Sequence, residues 1–169
     1  MNLVINDNSS LKDARDWLRQ RVDDGETCPC CKQFAKVYPR MIYGKMAAAL
    51  IRLHAVSRPD FSFVHVSKID VPTIRSVVFS GDFAKLALWE LIEPMPKDEK
   101  DKTKRANGSW RITQRGIDFV NGKITVPKYV KIYDGRRIGF DDSEMVSIQN
   151  CLGEKFDYAE LMGRSNGNE

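Results

Sequence analysis

The chain is poor in the residues that usually carry catalysis and metal binding. It holds two histidines and four cysteines in 169 residues. Three cysteines crowd into Cys28-Pro29-Cys30-Cys31 and the fourth stands far off at Cys151, which excludes an extracellular disulfide framework. Neither His54 nor His65 sits in a nucleophile, base or metal motif, and there is no glycine-rich phosphate loop. The adjacent acids Asp23-Asp24 and Asp141-Asp142 read as loop or helix-end charges, because neighbours on regular structure usually point apart. An enzyme is therefore not expected. Long apolar runs are also missing. The longest, residues 46–51, is far below a membrane span. The opening Met1-Asn-Leu-Val-Ile5 is too short for the apolar region of a signal peptide and has no basic segment before it. The expectation is a soluble intracellular protein with no membrane partner.

What is present suffices for a core. Hydrophobic residues make up 42% and charged residues 30%, enough for one medium domain or a small domain with an N-terminal attachment. The formal charge of +4 permits contact with nucleic acid without requiring it.

Ser10 with Asp13 reads as a capping pair, and Leu11, Ala14, Trp17, Leu18 and Val22 recur at helical spacing. The spacing predicts an amphipathic helix over residues 11–24, stopped by Gly25. Cys28 and Cys31 follow with the C-x-x-C spacing of a zinc knuckle. A tetrahedral site needs two more ligands, and Cys30, His54, His65 and Cys151 are what the sequence offers. Zinc at Cys28 and Cys31 and a turn of reduced thiols both remain open. Pro39 precedes a second helix, whose buried face is Ile42, Met46, Ala49, Leu50 and Leu53. Lys32, Lys36, Arg40, Lys45 and Arg52 lie along this region with Tyr38 and Tyr43 between them, a pattern that suits a phosphate backbone or a solvated face.

Residues 61–66 alternate as a strand. Asp70 is expected to cap a short helix through about Val78, and Ser80 or Asp82 the next one, with Phe83, Leu86, Ala87 and Leu91 inward and Leu88 or Trp89 outward. Residues 97–105 carry five positive and three negative side chains and belong to a loop. Trp110-Arg-Ile112 is the returning strand, and Thr113 caps a helix that closes at Gly122. The dipeptide Asp134-Gly135 marks a type I′ hairpin, and Ser147 and Asp157 cap two short C-terminal helices.

Leu88-Trp-Glu-Leu-Ile92, the charged loop and Trp110-Arg-Ile-Thr-Gln-Arg-Gly116 together resemble winged helix-turn-helix proteins. The Ile-Thr-x-x-Gly portion is similar to the strand-to-helix junction of MarR-type regulators, and the resemblance covers roughly half the chain, residues 47–122. With the cysteine turn in front, the whole also resembles small winged-helix proteins of bacteriophages and prophages. The fold class implied is α+β. It divides into an N-terminal helix and knuckle (1–39), a winged-helix core (40–123), a C-terminal hairpin with short helices (124–163) and a disordered tail (164–169). The resemblance implies a DNA-binding regulator in the bacterial host cytoplasm, with residues 80–92 as recognition helix and 97–105 as wing. The phosphate contacts would be Arg40, Lys45, Arg75, Lys85, Lys97, Lys100, Lys102, Lys104, Arg105, Arg111 and Arg115. Base-reading side chains are scarce, since Lys85 stands between Asp82 and Glu90. The alternative is a winged-helix module that binds a host protein as an inhibitor or modulator. A nuclease or modification-enzyme accessory is a third and more distant reading, and a homodimer is compatible with each.

Overall fold

The computed structural model describes residues 4–97 and 108–163. The chain begins with α1 (Leu11–Arg19), β1 (Glu26–Thr27), β2 (Phe34–Ala35), β3 (Tyr38–Met41) and α2 (Gly44–Ser57). It continues with β4 (Val64–His65), α3 (Arg75–Ser80), a 3-10 segment (Ala84–Trp89), β5 (Ile92–Pro94), β6 (Ser109–Ile112) and α4 (Gln114–Val120). Strands β7 (Val126–Tyr133) and β8 (Arg136–Val146) and helices α5 (Ile148–Leu152) and α6 (Tyr158–Leu161) complete it. This is a mixed α+β fold. Its sheets are β1-β2, β3-β7-β8 and β4-β6-β5, the first and last antiparallel in every pairing.

Two compact units form, Met1–Arg40 with Tyr129–Asp141, and Met41–Lys128 with Asp142–Glu169. In the smaller, the Ser10 hydroxyl accepts the Asp13 N–H at 3.1 Å, while Asp13 returns its carboxylate to the Ser10 N–H. The helix stops at Arg19, earlier than the apolar spacing predicts. The Val22 carbonyl accepts the Val37 N–H at 2.9 Å, so it is committed to the returning chain rather than to another helical turn. Gly25 (φ +94°) carries the reversal, and a Cβ there would lie 2.6 Å from the Phe34 ring. Asp134 (φ +49°) and Gly135 (φ +71°) make the turn between β7 and β8, the two positive φ angles of the expected type I′ turn.

The larger unit is built on α2. Residues 46–51 and Leu53 are buried, so this helix is apolar on nearly every side and serves as the central core element. Against it stand the sheet β4-β6-β5 and helices α3, α4, α5 and α6. The Thr113 hydroxyl accepts the Gly116 N–H at 3.0 Å and opens α4 as expected. Gly116 is fully committed to close packing: a Cβ there would lie 2.1 Å from the Leu91 carbonyl oxygen and 2.7 Å from Ile112. Ser147 and Asp157 cap α5 and α6.

The expected recognition helix over residues 80–92 does not form as one piece. Helix α3 ends at Gly81 (φ +81°), a 3-10 segment follows, and Glu90 (φ +62°) turns the chain into β5. Trp89 decides this. Its side chain is fully buried and its Nε1 donates to the Pro127 carbonyl at 2.7 Å, so it points inward rather than outward. Asp70 does not cap α3, whose N-cap is Ile74; it pairs with Arg75 at 3.2 Å instead.

Candidate nucleic-acid interface and cysteine turn

Cys28 to Gln33 connect β1 to β2, which pair with Glu26 opposite Ala35 and Thr27 opposite Phe34. The Cys28 N–H donates to the Gln33 carbonyl at 2.8 Å, and the Lys32 N–H donates to the Cys28 carbonyl at 3.0 Å. Lys32 sits at φ +61°, and its Nζ donates to the Pro29 carbonyl at 2.8 Å. The Cys28 thiol is half-buried, and its pKa is held below the ordinary value by the backbone N–H groups of Cys31 and then Cys30. Cys30 and Cys31 are exposed, and all four cysteines are free thiols. Cys151 differs. Burial pushes its pKa up to about 12, which leaves an inert thiol. Among the described residues no three His, Cys, Asp or Glu side chains come together in a set that could hold a metal ion. Cys28 and Cys31 are two of the four ligands that a structural zinc would require.

Next to this turn, exposure alternates along the chain. Ala35 and Val37 are buried, whereas Phe34 is 63% and Tyr38 53% exposed, with Lys36 half-exposed and Arg40 exposed. Phe34, Lys36, Tyr38 and Arg40 line one open groove of about 550 Å³ together with Tyr133 of the hairpin and Cys31. Among the described residues, Asp134 is the one acid lining it. Lys36 and Arg40 have no carboxylate partner among the described residues. Of these groove residues, Lys36, Tyr38 and Arg40 belong to the sequence pattern that suits a phosphate backbone. Phe34 does not, although the period-two alternation of residues 34–38 is an available signal.

Comparison with known protein families, curated proteins and solved structures found no match.

The larger unit treats its cations differently. Arg111 lies directly across from Glu93 on the β5–β6 ladder and bonds it through Nε at 2.7 Å, with its guanidinium 4.7 Å from the Phe63 ring centre. Lys85 is paired with Asp82, which also accepts the Tyr43 hydroxyl at 2.7 Å. Burial, then Asp82, raises the Tyr43 pKa to about 12, so the phenol stays a donor. Arg75 is paired with Asp70, and Arg115 donates from Nε to the Trp89 carbonyl at 3.1 Å. Lys45 is exposed and donates to Ser76 at 3.1 Å. Lys97 is exposed, while Lys100, Lys102, Lys104 and Arg105 lie outside the described residues.

The histidines are occupied structurally. His54 is buried in the last turn of α2 against Phe61, with ring centres 5.4 Å apart. Its pKa is lowered first by burial and then by Arg58. His65 is exposed, and its Nδ1 meets the Ser67 hydroxyl at 2.8 Å.

Proposed function

We propose that the protein binds nucleic acid mainly through the phosphate backbone, and that its larger unit is a winged helix. The observation that carries this reading is the groove of the smaller unit. Phe34, Tyr38 and Tyr133 line it as aromatics, with Lys36 and Arg40 between them. Exposed rings can stack on bases, at about 1–3 kcal/mol per base, and interleaved cations can hold phosphates. The winged-helix reading is supported by the order α2–β4–α3–β5–β6 and by the sheet order β4-β6-β5. In that reading the wing is residues 97–105, which carry five basic side chains and of which 98–105 lie outside the described residues. The protein would then act as a phage or prophage regulator in the bacterial cytoplasm. It would read DNA shape rather than bases, because the segment after α3 turns Leu86 and Trp89 into the core and keeps Lys85 on Asp82.

One observation favours the alternative, a module that docks on a host protein. Phe79, in the last turn of α3, is 71% exposed, while Arg75, Lys85 and Arg111 are all neutralised within the unit. A partner that buries a large apolar side chain suits such a surface.

The test is fluorescence anisotropy with labelled duplex and single-stranded DNA over a salt series beginning at about 50 mM. Nucleic-acid binding predicts that log affinity falls linearly with log salt. Reversing both Lys36→Glu and Arg40→Glu should reduce the slope by about 2. Phe34→Ala with Tyr38→Ala should weaken single-strand binding while leaving the salt slope unchanged. No binding at the lowest salt would remove this reading and leave the protein-docking one, for which Phe79→Ala is the discriminating variant.

A further inference from the structure

We infer that strand β8 is a docking edge for a second copy of this chain, which pairs antiparallel with the same strand about a two-fold axis at Gly139. The inference stands apart from nucleic-acid binding, since residues 136–142 do not line the groove of the smaller unit. Its first support is the position of the strand. In the sheet β3-β7-β8 the central strand is β7, and among the described residues β8 pairs with β7 alone. It runs for 11 residues, Arg136–Val146. A strand at a sheet edge directs alternate backbone N–H and C=O groups away from its one neighbour, and these are a template for a further strand. At Gly139 nothing lies within 4 Å of where a Cβ would stand, which leaves room for a second backbone.

The second support is the order of residues along that edge, which is complementary to itself. It reads Arg136-Arg-Ile-Gly-Phe-Asp-Asp142. Antiparallel pairing about Gly139 sets Arg136 opposite the second copy's Asp142, Arg137 opposite Asp141 and Ile138 opposite Phe140. The two-fold axis repeats each match, as the commonest oligomeric symmetry requires. Opposite charges across a ladder attract, and an aliphatic side chain opposite an aromatic one packs. Other alignments lose these matches. Moving on by two residues sets Ile138 against Asp142, and Arg136 against Glu144, which Lys128 already holds at 2.8 Å. A parallel alignment in register sets arginine on arginine and aspartate on aspartate. Charges that only guard an edge against pairing need no such order.

Exposure fits the same arrangement. Ile138 is 54% exposed, a β-branched apolar side chain that a second strand would cover. Arg136 and Asp142 are exposed, and neither has an ion-pair partner among the described residues. Arg137 rests over the Phe140 ring of its own chain, 4.8 Å from the ring centre, so Arg136 and Asp142 carry the charge match first. Main-chain hydrogen bonds between the two edges supply attraction, and the two matched charges at each end fix the register.

The experiment is sedimentation velocity on the full chain, freed of nucleic acid, over a concentration series at about 50 mM salt and again at high salt. The expected result is a monomer–dimer equilibrium that weakens as salt rises. Arg136→Asp places like charges opposite each other at both ends of the pairing and should weaken the dimer by about tenfold or more. Asp142→Arg should do the same. Mixed in equal amounts, the two variants match each other's charges and should dimerise as tightly as the unaltered chain. The double variant, with both reversals in one chain, should also recover. Gly139→Pro removes the N–H at the axis and should abolish the dimer while circular dichroism stays unchanged. A chain that stays monomeric at its highest soluble concentration would overturn the proposal. So would a dimer indifferent to both reversals, or a mixture of the two variants that restores nothing. The mixing arm also separates a lost interface from a lost fold, because misfolded variants cannot rescue each other.

Discussion

Replacing Gly116 by alanine should be among the most damaging single-methyl changes this protein can undergo. The added Cβ would lie 2.1 Å from the Leu91 carbonyl oxygen, 2.7 Å from Ile112 Cγ1 and 3.0 Å from the Leu91 carbonyl carbon. Two of the three neighbours are backbone atoms, so no rotamer change relieves the contact. Helix α4 must move away by more than an ångström. That movement strains the Thr113 cap on the Gly116 N–H and the bond from the Thr113 N–H to the Leu91 carbonyl, 3.1 Å long. Overpacking of this kind costs about 1–3 kcal/mol, a lost cap about 1 kcal/mol and a lost buried hydrogen bond about 1 kcal/mol. The expected total is roughly 3–5 kcal/mol, which for a chain of this size lowers Tm by on the order of 10 °C. Urea and thermal melts followed by circular dichroism measure it. Gly122→Ala is the control. Gly122 has φ +72° but open space around the site, so only the left-handed conformation is penalised, at about 1 kcal/mol. If Gly116→Ala melts within 1 °C of the unaltered protein, or no lower than Gly122→Ala, the close approach of α4 to Leu91 is wrong.

Other outcomes follow from single groups. Trp89→Phe keeps most of the apolar bulk but leaves the buried Pro127 carbonyl without its donor, which should cost about 1–3 kcal/mol in a urea melt; no change would place Trp89 at the surface after all. The lowered pKa of His54 means that the unfolded chain takes up a proton before the folded one does. Stability should therefore fall as pH drops below about 6.5, and His54→Gln should flatten that part of the profile. A parallel decline in the variant would assign the loss to other groups. A thiol reagent at neutral pH should label Cys30 and Cys31 quickly and Cys151 slowly, because burial raises its pKa. Peptide mapping that finds Cys151 modified as fast as Cys31 would contradict its burial.

Much of the local structure was legible because local chemistry dictates it. Ser10 with Asp13, Thr113, Ser147 and Asp157 all cap the helices their spacing announced, since a side-chain oxygen three residues before a free N–H satisfies it regardless of the rest of the fold. Asp134-Gly135 makes its turn for the same reason: the two residues tolerate positive φ. The stretch after α3 was legible only in part: Phe83, Leu86 and Leu91 face inward as expected, but Trp89 does so too. Its apolar residues Phe83, Leu86, Trp89 and Leu91 are all buried, so periodicity could not say which face of a helix was outside. The groove was half legible: its cations and Tyr38 stood out in the chain, but Tyr133 lies some ninety residues further on and joins them only through folding.

By itself the sequence determined the caps at Ser10, Thr113, Ser147 and Asp157, the hairpin turn, one buried face of α2 and the number of cysteines and histidines. These depend on neighbours a few residues apart or on composition alone. Only the tertiary structure decided that Trp89 faces the core, that Gly116 permits α4 to touch Leu91, that Arg111 is paired with Glu93, and that Cys28 and Cys31 meet no third ligand among the described residues. The physical reason is common to all four. Each depends on distances between backbone segments far apart in sequence or brought round by a turn, and a linear pattern of residue types carries no record of those distances.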